Sequence, residues 1–419
     1  MSCVPPRPAC TPGSWHSGRS PPRSGSSSRG WSRPPTSMRA WSRCACTAWR
    51  RSRRERVRTM RLNADDVRHL RTGALFLACA ADPEWCDEQQ DRILARMSAG
   101  AGGPELIEVG ELDADALVAA VGFVNNGLPL SELRPAGDEF VTSVELLERE
   151  LGRRIEGLFP LAAANVNSMV PLLTGMQLGR PTVDADPMGR VFPLLFQSVF
   201  TLAGLPAGPL AATGPVGESA VLRVREPRRA ERLVRALAEE FGGWSASALY
   251  PMTARDLART GVLGSVSRMV RIGRILDSAL PVAEKHELLR RTEGVRRIIR
   301  ARVADVAGLS RPAPAGEPDH PSSVVLIEET QGRFVQLEIQ NELLMLMVDG
   351  TPEAVIPDII TMLHPEDGRV ASLDDLWAGN TLDLVVLPAA AQWYTPDGRR
   401  LAAPETMHAV LPDRRRSRA

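Results

Sequence analysis

The residues of this chain best suited to chemistry lie in "PTVDADPMGRVFP", Pro181 to Pro193. Asp184 and Asp186 are two apart, so on an extended backbone both carboxylates face one side. Gly189 offers a turn and Arg190 a fixed positive charge able to hold a carboxylate or orient the aspartates. The segment reads as an acid/base or metal-binding carboxylate pair with an anion-holding arginine. Asp184 and Asp186 would be the ligands of any divalent metal, the one cofactor the sequence brings into view. Spacing alone equally allows a structural Asp–Arg network that fixes a long loop.

Two further loops carry polar groups. In "LAAANVNSMVP", Asn165, Asn167 and Ser168 stand at a strand-to-helix junction, where they could hold an anionic or amide ligand. Simple N-capping by Asn167 or Ser168 is the competing reading. In "FVNNGLP", Asn125 and Asn126 end a strand and are either ligand-facing or plain turn residues. There is no Walker loop, no GxGxxG after the first strand and no GxSxG elbow. The six histidines are scattered and none falls in these loops, so a histidine triad or a histidine-rich metal site has no support. Cys79 reads as a packed thiol rather than a nucleophile.

Alternating helix and strand patterns must position these loops. Helical periodicity covers Asp65–Leu77, after the candidate N-cap Asn63, and Glu84–Met97, ended by "AGAGG". Strands are expected at "ELIEV", "ALVAAVGFV" (apolar throughout, hence buried), "IEGLFPLA", "PTVDAD", "AVLRV" and "SASALYP". Helices are expected over Glu139–Gly152, Asn167–Gly179 and Pro227–Gly243, with one helical stretch from about Thr253 to Arg291. From about residue 298 the texture becomes β-like runs punctuated by "DGTP", "PEDG" and "PDGR" turns. The expected fold is an α/β N-terminal domain with a mixed or parallel sheet (residues 60–297), then a smaller, mainly antiparallel β domain (298–412) and a basic tail (413–419).

Charge divides the chain more sharply than its overall +1 shows. Residues 1–59 hold thirteen arginines and one acidic residue, Glu55, within Ser/Pro/Gly-rich sequence that lacks periodicity. This leader reads as a mis-called start, with translation beginning at Met60; a disordered basic arm is the alternative. The remainder carries a net charge of −11, which argues against nucleic acid as a partner. It contains two cysteines, Cys79 and Cys86, and no apolar run long enough for a membrane span. A cytoplasmic location follows from these features. "LFLACAADP" (Leu75–Pro83) does not serve as a secretory signal, because an acidic helix start precedes its short apolar run.

The stretches "RRIEGLFP", "NVNSMVPLLTGMQLGRPTVDADPMGRVFP", "GGWSASALYPMTARDL" and "IQNELLMLMVDGTPEAVIPDIITML" occur in that order. Together they resemble the bacterial family named after S-methyl-thiohydantoin desulfurase, from about Asp66 to Pro388 and most specifically in DAD-x-x-GR-x-FP. The resemblance implies an α/β N-terminal and a β-rich C-terminal domain. It also implies hydrolytic removal of sulfur from a thiohydantoin ring, and association with hydantoinase or oxoprolinase-type enzymes. Members carry a glycine-rich loop where this chain has Ala78-Cys79-Ala80-Ala81, before the shared Asp82-Pro83. They carry an acidic residue and two glycines before the Asn-Ser loop, where it has Ala162-Ala163-Ala164-Asn165. Glu and His usually stand where it has Leu194 and Phe200-Thr201-Leu202-Ala203-Gly204.

The expectation is thus a thiohydantoin- or hydantoin-type cyclic amide hydrolase, or desulfurase-like protein, with an altered active site. Asp184, Asp186 and Arg190 would be catalytic. Asn165, Asn167, Ser168, Asn125, Asn126 and Asp82 would bind substrate. The alternative is a non-catalytic small-ligand-binding protein or an accessory subunit of a hydantoinase/oxoprolinase-type system. The partners implied are a cyclic amide-like ligand, such an enzyme and a second copy of the chain, with no nucleic acid and no membrane.

Overall fold

The computed structural model describes residues 60–79, 83–124, 130, 132–307, 323–339, 342–403 and 406. The leader and the loop positions Asp82, Asn125 and Asn126 lie outside them.

The first sheet is built from β1 (Met60–Arg61), β2 (Glu105–Ile107), β3 (Leu117–Val124), β4 (Gly157–Pro160), β5 (Thr182–Val183), β7 (Leu210–Thr213), β8 (Ser219–Leu222) and β9 (Ser245–Thr253), while β6 (Ala185–Asp186) lies outside it. Their order is β1-β2-β5-β4-β3-β9-β7-β8. The contacts of β2 with β5, β5 with β4 and β4 with β3 are parallel; those through β9, β7 and β8 are antiparallel. The sheet is therefore mixed.

All eight residues of β3 are buried, as its unbroken apolar sequence predicts. They alternate between two cores. Leu117, Ala119, Val121 and Phe123 face one, while Val118, Ala120 and Val124 face the other. The first core holds α1 (Ala64–Leu77), α2 (Pro83–Arg96), α3 (Glu139–Leu151) and α4 (Val170–Leu178). Asn63 caps α1 by accepting from the amides of Asp65 and Asp66, and Asp66 accepts from Asn63 in return.

On the opposite face, the short α5 (Val199–Leu202) and α6 (Pro227–Glu240) join the second core. Helix α6 starts with Pro227 and is capped by the Glu226 carboxylate.

The expected helical stretch after Thr253 is broken. It forms α7 (Ala254–Thr260), a two-residue strand β10 (Val262–Leu263), α8 (Ser265–Leu276) and α9 (Val282–Glu293). Gly261 and Gly264 flank the strand, and β10 pairs antiparallel with β6. Helix α8 lies directly against α1. A Cβ on Gly73 would stand 1.9 Å from the Met269 carbonyl oxygen, and one on Gly273 would stand 1.7 Å from that of His69. Only glycine permits this backbone approach.

The second large sheet is wholly antiparallel. It comprises β11 (Arg297–Ala307), β12 (Ser323–Glu328), β13 (Phe334–Ile339), β14 (Leu343–Val348), β15 (Thr351–Val355), β16 (Ile359–Leu363) and β17 (Thr381–Leu387), in the order β15-β14-β13-β12-β11-β17-β16. Val303, Leu326, Leu337, Leu346 and Leu384 form its own core. Ile359, Leu363, Val385 and Leu387 join the core around α1 and α8 instead. A short α10 (Pro396–Ala402) follows.

Candidate active-site region

The chain leaves the large sheet at Val183 and pairs with β10 at Ala185, so Asp184 sits at a change of sheet rather than within one extended strand. Its Oδ1 accepts from the amides of Val266 (2.8 Å) and Ser267 (3.0 Å). Gly264, at the N-cap position of α8, has no side chain to do this. Asp184 therefore caps that helix from the junction of β5 and β6, where the helix dipole favours a carboxylate.

Asp186 is completely buried. Its carboxylate accepts from the amides of Ala163 (3.0 Å) and Met188 (2.9 Å), and its two oxygens lie 3.0 and 2.8 Å from the Gly189 nitrogen. Gly189 turns the chain with a φ of +68°, which brings its own amide back to the carboxylate. Burial pushes the Asp186 carboxyl up to about 6, against the pull of these three amides. The Ser265 hydroxyl stands close enough to favour the ionised form, yet it completes no hydrogen bond of ordinary geometry. The two aspartates thus converge on the first turn of α8, a convergence hidden when Thr253–Arg291 is read as one helix.

Arg190 does not orient the aspartates; the carboxylate it holds is that of Glu342. Its side chain is 4% exposed. Nη1 donates to the carbonyls of Pro357 (2.7 Å) and Asp358 (2.8 Å), and Nε to that of Val191 (3.0 Å). Nη2 meets the carboxylate of buried Glu342, and the guanidinium lies 4.6 Å from the Phe192 ring centre. Burial raises the Glu342 pKa while Arg190 lowers it, and burial wins. The turn at Gly189 sends Arg190 toward the second sheet, away from the carboxylates it follows in sequence.

The asparagine loop is similarly self-satisfied. Asn165 has a φ of +46°, and its side chain accepts from the Asn167 amide at 3.1 Å. The Asn167 side-chain oxygen accepts from the Phe123 amide at 2.7 Å, extending the end of β3. Gly122 leaves room for it, since a Cβ there would lie 2.8 Å from that oxygen. Ser168 donates to the Asn165 carbonyl at 2.7 Å. Around them Ala162, Ala163, Ala164, Leu194 and Phe200 are all buried, and Phe200 packs against Phe159 and Tyr250. Cys79 is buried with a φ of +51°, and burial pushes its thiol up to about 12, which disfavours the thiolate.

Sequence reasoning missed Glu231, which is fully buried on α6. It accepts from the Leu195 amide and pairs with Arg235 four residues on. Its i,i+4 spacing with Arg235 was the available signal.

Two surface clefts lie elsewhere. One, of about 460 Å³, is lined by Arg153, Arg154, Glu156, Gly179 and Arg180. Glu148 neutralises Arg180, Glu156 adds a negative charge, and α3 and α4 end there, each contributing roughly half a negative charge, so the three arginines produce no net positive field. The other, of about 310 Å³, is lined by Arg296, residues 352–358, Tyr394 and Arg399. Among the described residues, no three His, Cys, Asp or Glu side chains group as metal ligands, and no helix is long and apolar enough to cross a membrane.

A search of curated proteins finds no match. A crystal structure of a protein from Chromobacterium violaceum shares the fold, with a TM-score of 0.68 at 22% identity over 84% of this chain and 97% of that one. The models of the S-Me-THD-like N-terminal and C-terminal domains match residues 65–224 and 225–410. Spanning both domains in order, the chain belongs to the S-Me-THD-like family.

Proposed function

We propose that this chain is a non-hydrolytic member of the S-Me-THD-like family. It would act as a small-ligand-binding protein for cyclic amide-like rings, or as an accessory subunit to a hydantoinase/oxoprolinase-type enzyme. The observation that carries this reading is the state of Asp186: its carboxylate is enclosed and bonded to three main-chain amides. A general base needs a lone pair within reach of the proton it removes. Asp184, Arg190, Asn167 and Ser168 are committed to structural partners in the same way.

A hydrolase acting on thiohydantoin or hydantoin rings is the second reading. The Asp186 carboxyl, pushed up to about 6, favours it, because a base poised near neutrality suits proton transfer. Thiohydantoins and hydantoins incubated with the protein, with and without divalent metals, separate the two. The proposal expects no loss of ring absorbance and no sulfide or thiol release, but saturable thermal stabilisation by the ring. Turnover that disappears in Asp186→Asn would overturn it in favour of the enzyme.

A further inference from the structure

The segment Met188–Phe192 builds something besides the aspartate turn. Arg190 holds the carbonyls of Pro357 and Asp358, and so fixes the connection between β15 and β16. Two residues before Arg190, the Met188 carbonyl accepts from the indole N–H of Trp393 at 2.7 Å. Two residues after it, the Phe192 ring packs 4.5 Å from the Trp393 ring. Trp393 thereby fixes its neighbour Tyr394, whose hydroxyl donates to the Asp358 carboxylate and accepts from the Ala389 amide at 3.1 Å. Both anchored stretches line the 310 Å³ cleft. The motif acts as a clamp that shapes a cavity in the C-terminal half.

The charges of the cleft resolve pair by pair. Arg296 neutralises Asp358, and Arg297, just outside, pairs with Glu353 at 3.5 Å. Among the described residues Arg399 pairs with no carboxylate; its guanidinium lies 5.4 Å from the Tyr394 ring centre, and Nε donates to the Tyr394 carbonyl at a long 3.4 Å. Among the described residues one positive charge therefore remains, beside the apolar lining of Pro352, Val355, Ile356 and Pro357. Val355 is 41% exposed and Pro352 is exposed, while Ile356 and Pro357 are buried, so Pro352 and Val355 are the part of this lining open to a ligand. The volume lies at the lower end of the range of small-molecule sites.

We propose that this cleft binds a small organic monoanion with an apolar or ring-shaped body, its acid group on Arg399 and its body against Pro352 and Val355. The inference rests on the ligand-binding reading and gives it a location away from the aspartates. Ligand-observed NMR and thermal shift on the full chain would use benzoate, its neutral counterpart benzamide, and acetate, which lacks the ring. Benzoate should bind saturably and at least about tenfold more tightly than either comparison, the scale of one charge-assisted contact. Arg399 is exposed, so Arg399→Ala should keep the fold and erase that preference. Val355→Asp should weaken benzoate without changing the melting temperature of the free protein. Equal binding of benzoate and benzamide, no binding of benzoate, or benzoate affinity unchanged in Arg399→Ala would each overturn the site. If hydantoins bind while benzoate does not, the cleft proposal falls and the ligand-binding reading stands. If benzoate binds through Arg399 and hydantoins do not bind, the cleft stands and the cyclic-amide reading falls.

Discussion

Asp184 Oδ1 stands 2.8 Å from the amide of Val266, so a residue at a sheet junction caps a helix eighty-two positions later. Asp184→Ala should cost ~1–2 kcal/mol of stability, the usual range for a lost cap. Asp184→Asn keeps the acceptor and should recover most of it. Urea unfolding of the two variants checks this; equal losses in both would show that charge rather than capping matters at the position.

Asp186 makes stability depend on pH in an unusual direction. Its folded pKa, about 6, lies above the ordinary 3.8, so the folded state binds its proton more tightly. The associated stabilisation is fully present below pH ~4 and is lost as pH rises through about 6. Two pKa units correspond to ~3 kcal/mol. Relative to Asp186→Asn, the wild-type protein should lose up to that amount between pH 4 and 7. A difference curve flat across this window would mean that the carboxyl is not raised.

Arg190 and Glu342 are both buried, so removing one leaves the other unpaired. Arg190→Met should destabilise the protein by ~3–5 kcal/mol. The double variant with Glu342→Gln should recover a large part of that loss, because the stranded charge goes with it. Chemical denaturation of the four proteins in the cycle gives the coupling directly.

Gly73→Ala and Gly273→Ala each place a methyl group inside a carbonyl of the facing helix. The helices must separate, which should cost at least ~1–3 kcal/mol and lower the melting temperature. Retained helical circular dichroism would confirm that packing, not helix formation, is lost.

Local signals in the sequence were reliable where the structure is local. The Asn63 cap, the unbroken burial of β3 and the mixed sheet followed from residue types and periodicity. The aspartates stood out by their spacing, but the main-chain amides they bind were not visible. Period-two reasoning presumes one continuous strand, and the chain changes sheets at Asp184. Arg190 meets Glu342 across 152 positions, a distance no window of periodicity spans. The break at Gly261–Gly264 was hidden because apolar residues on both sides continue a helical pattern.

The backbone contact between α1 and α8 also sets an order of events on the ribosome. Helix α1 is made before α8, and the surface it fits emerges about 190 residues later. At 5–20 residues per second, that interval is roughly 10–40 s. During it Leu70, Ala74 and Leu77, which end in the same core as Val266 and Met269, have no α8 to share that core with.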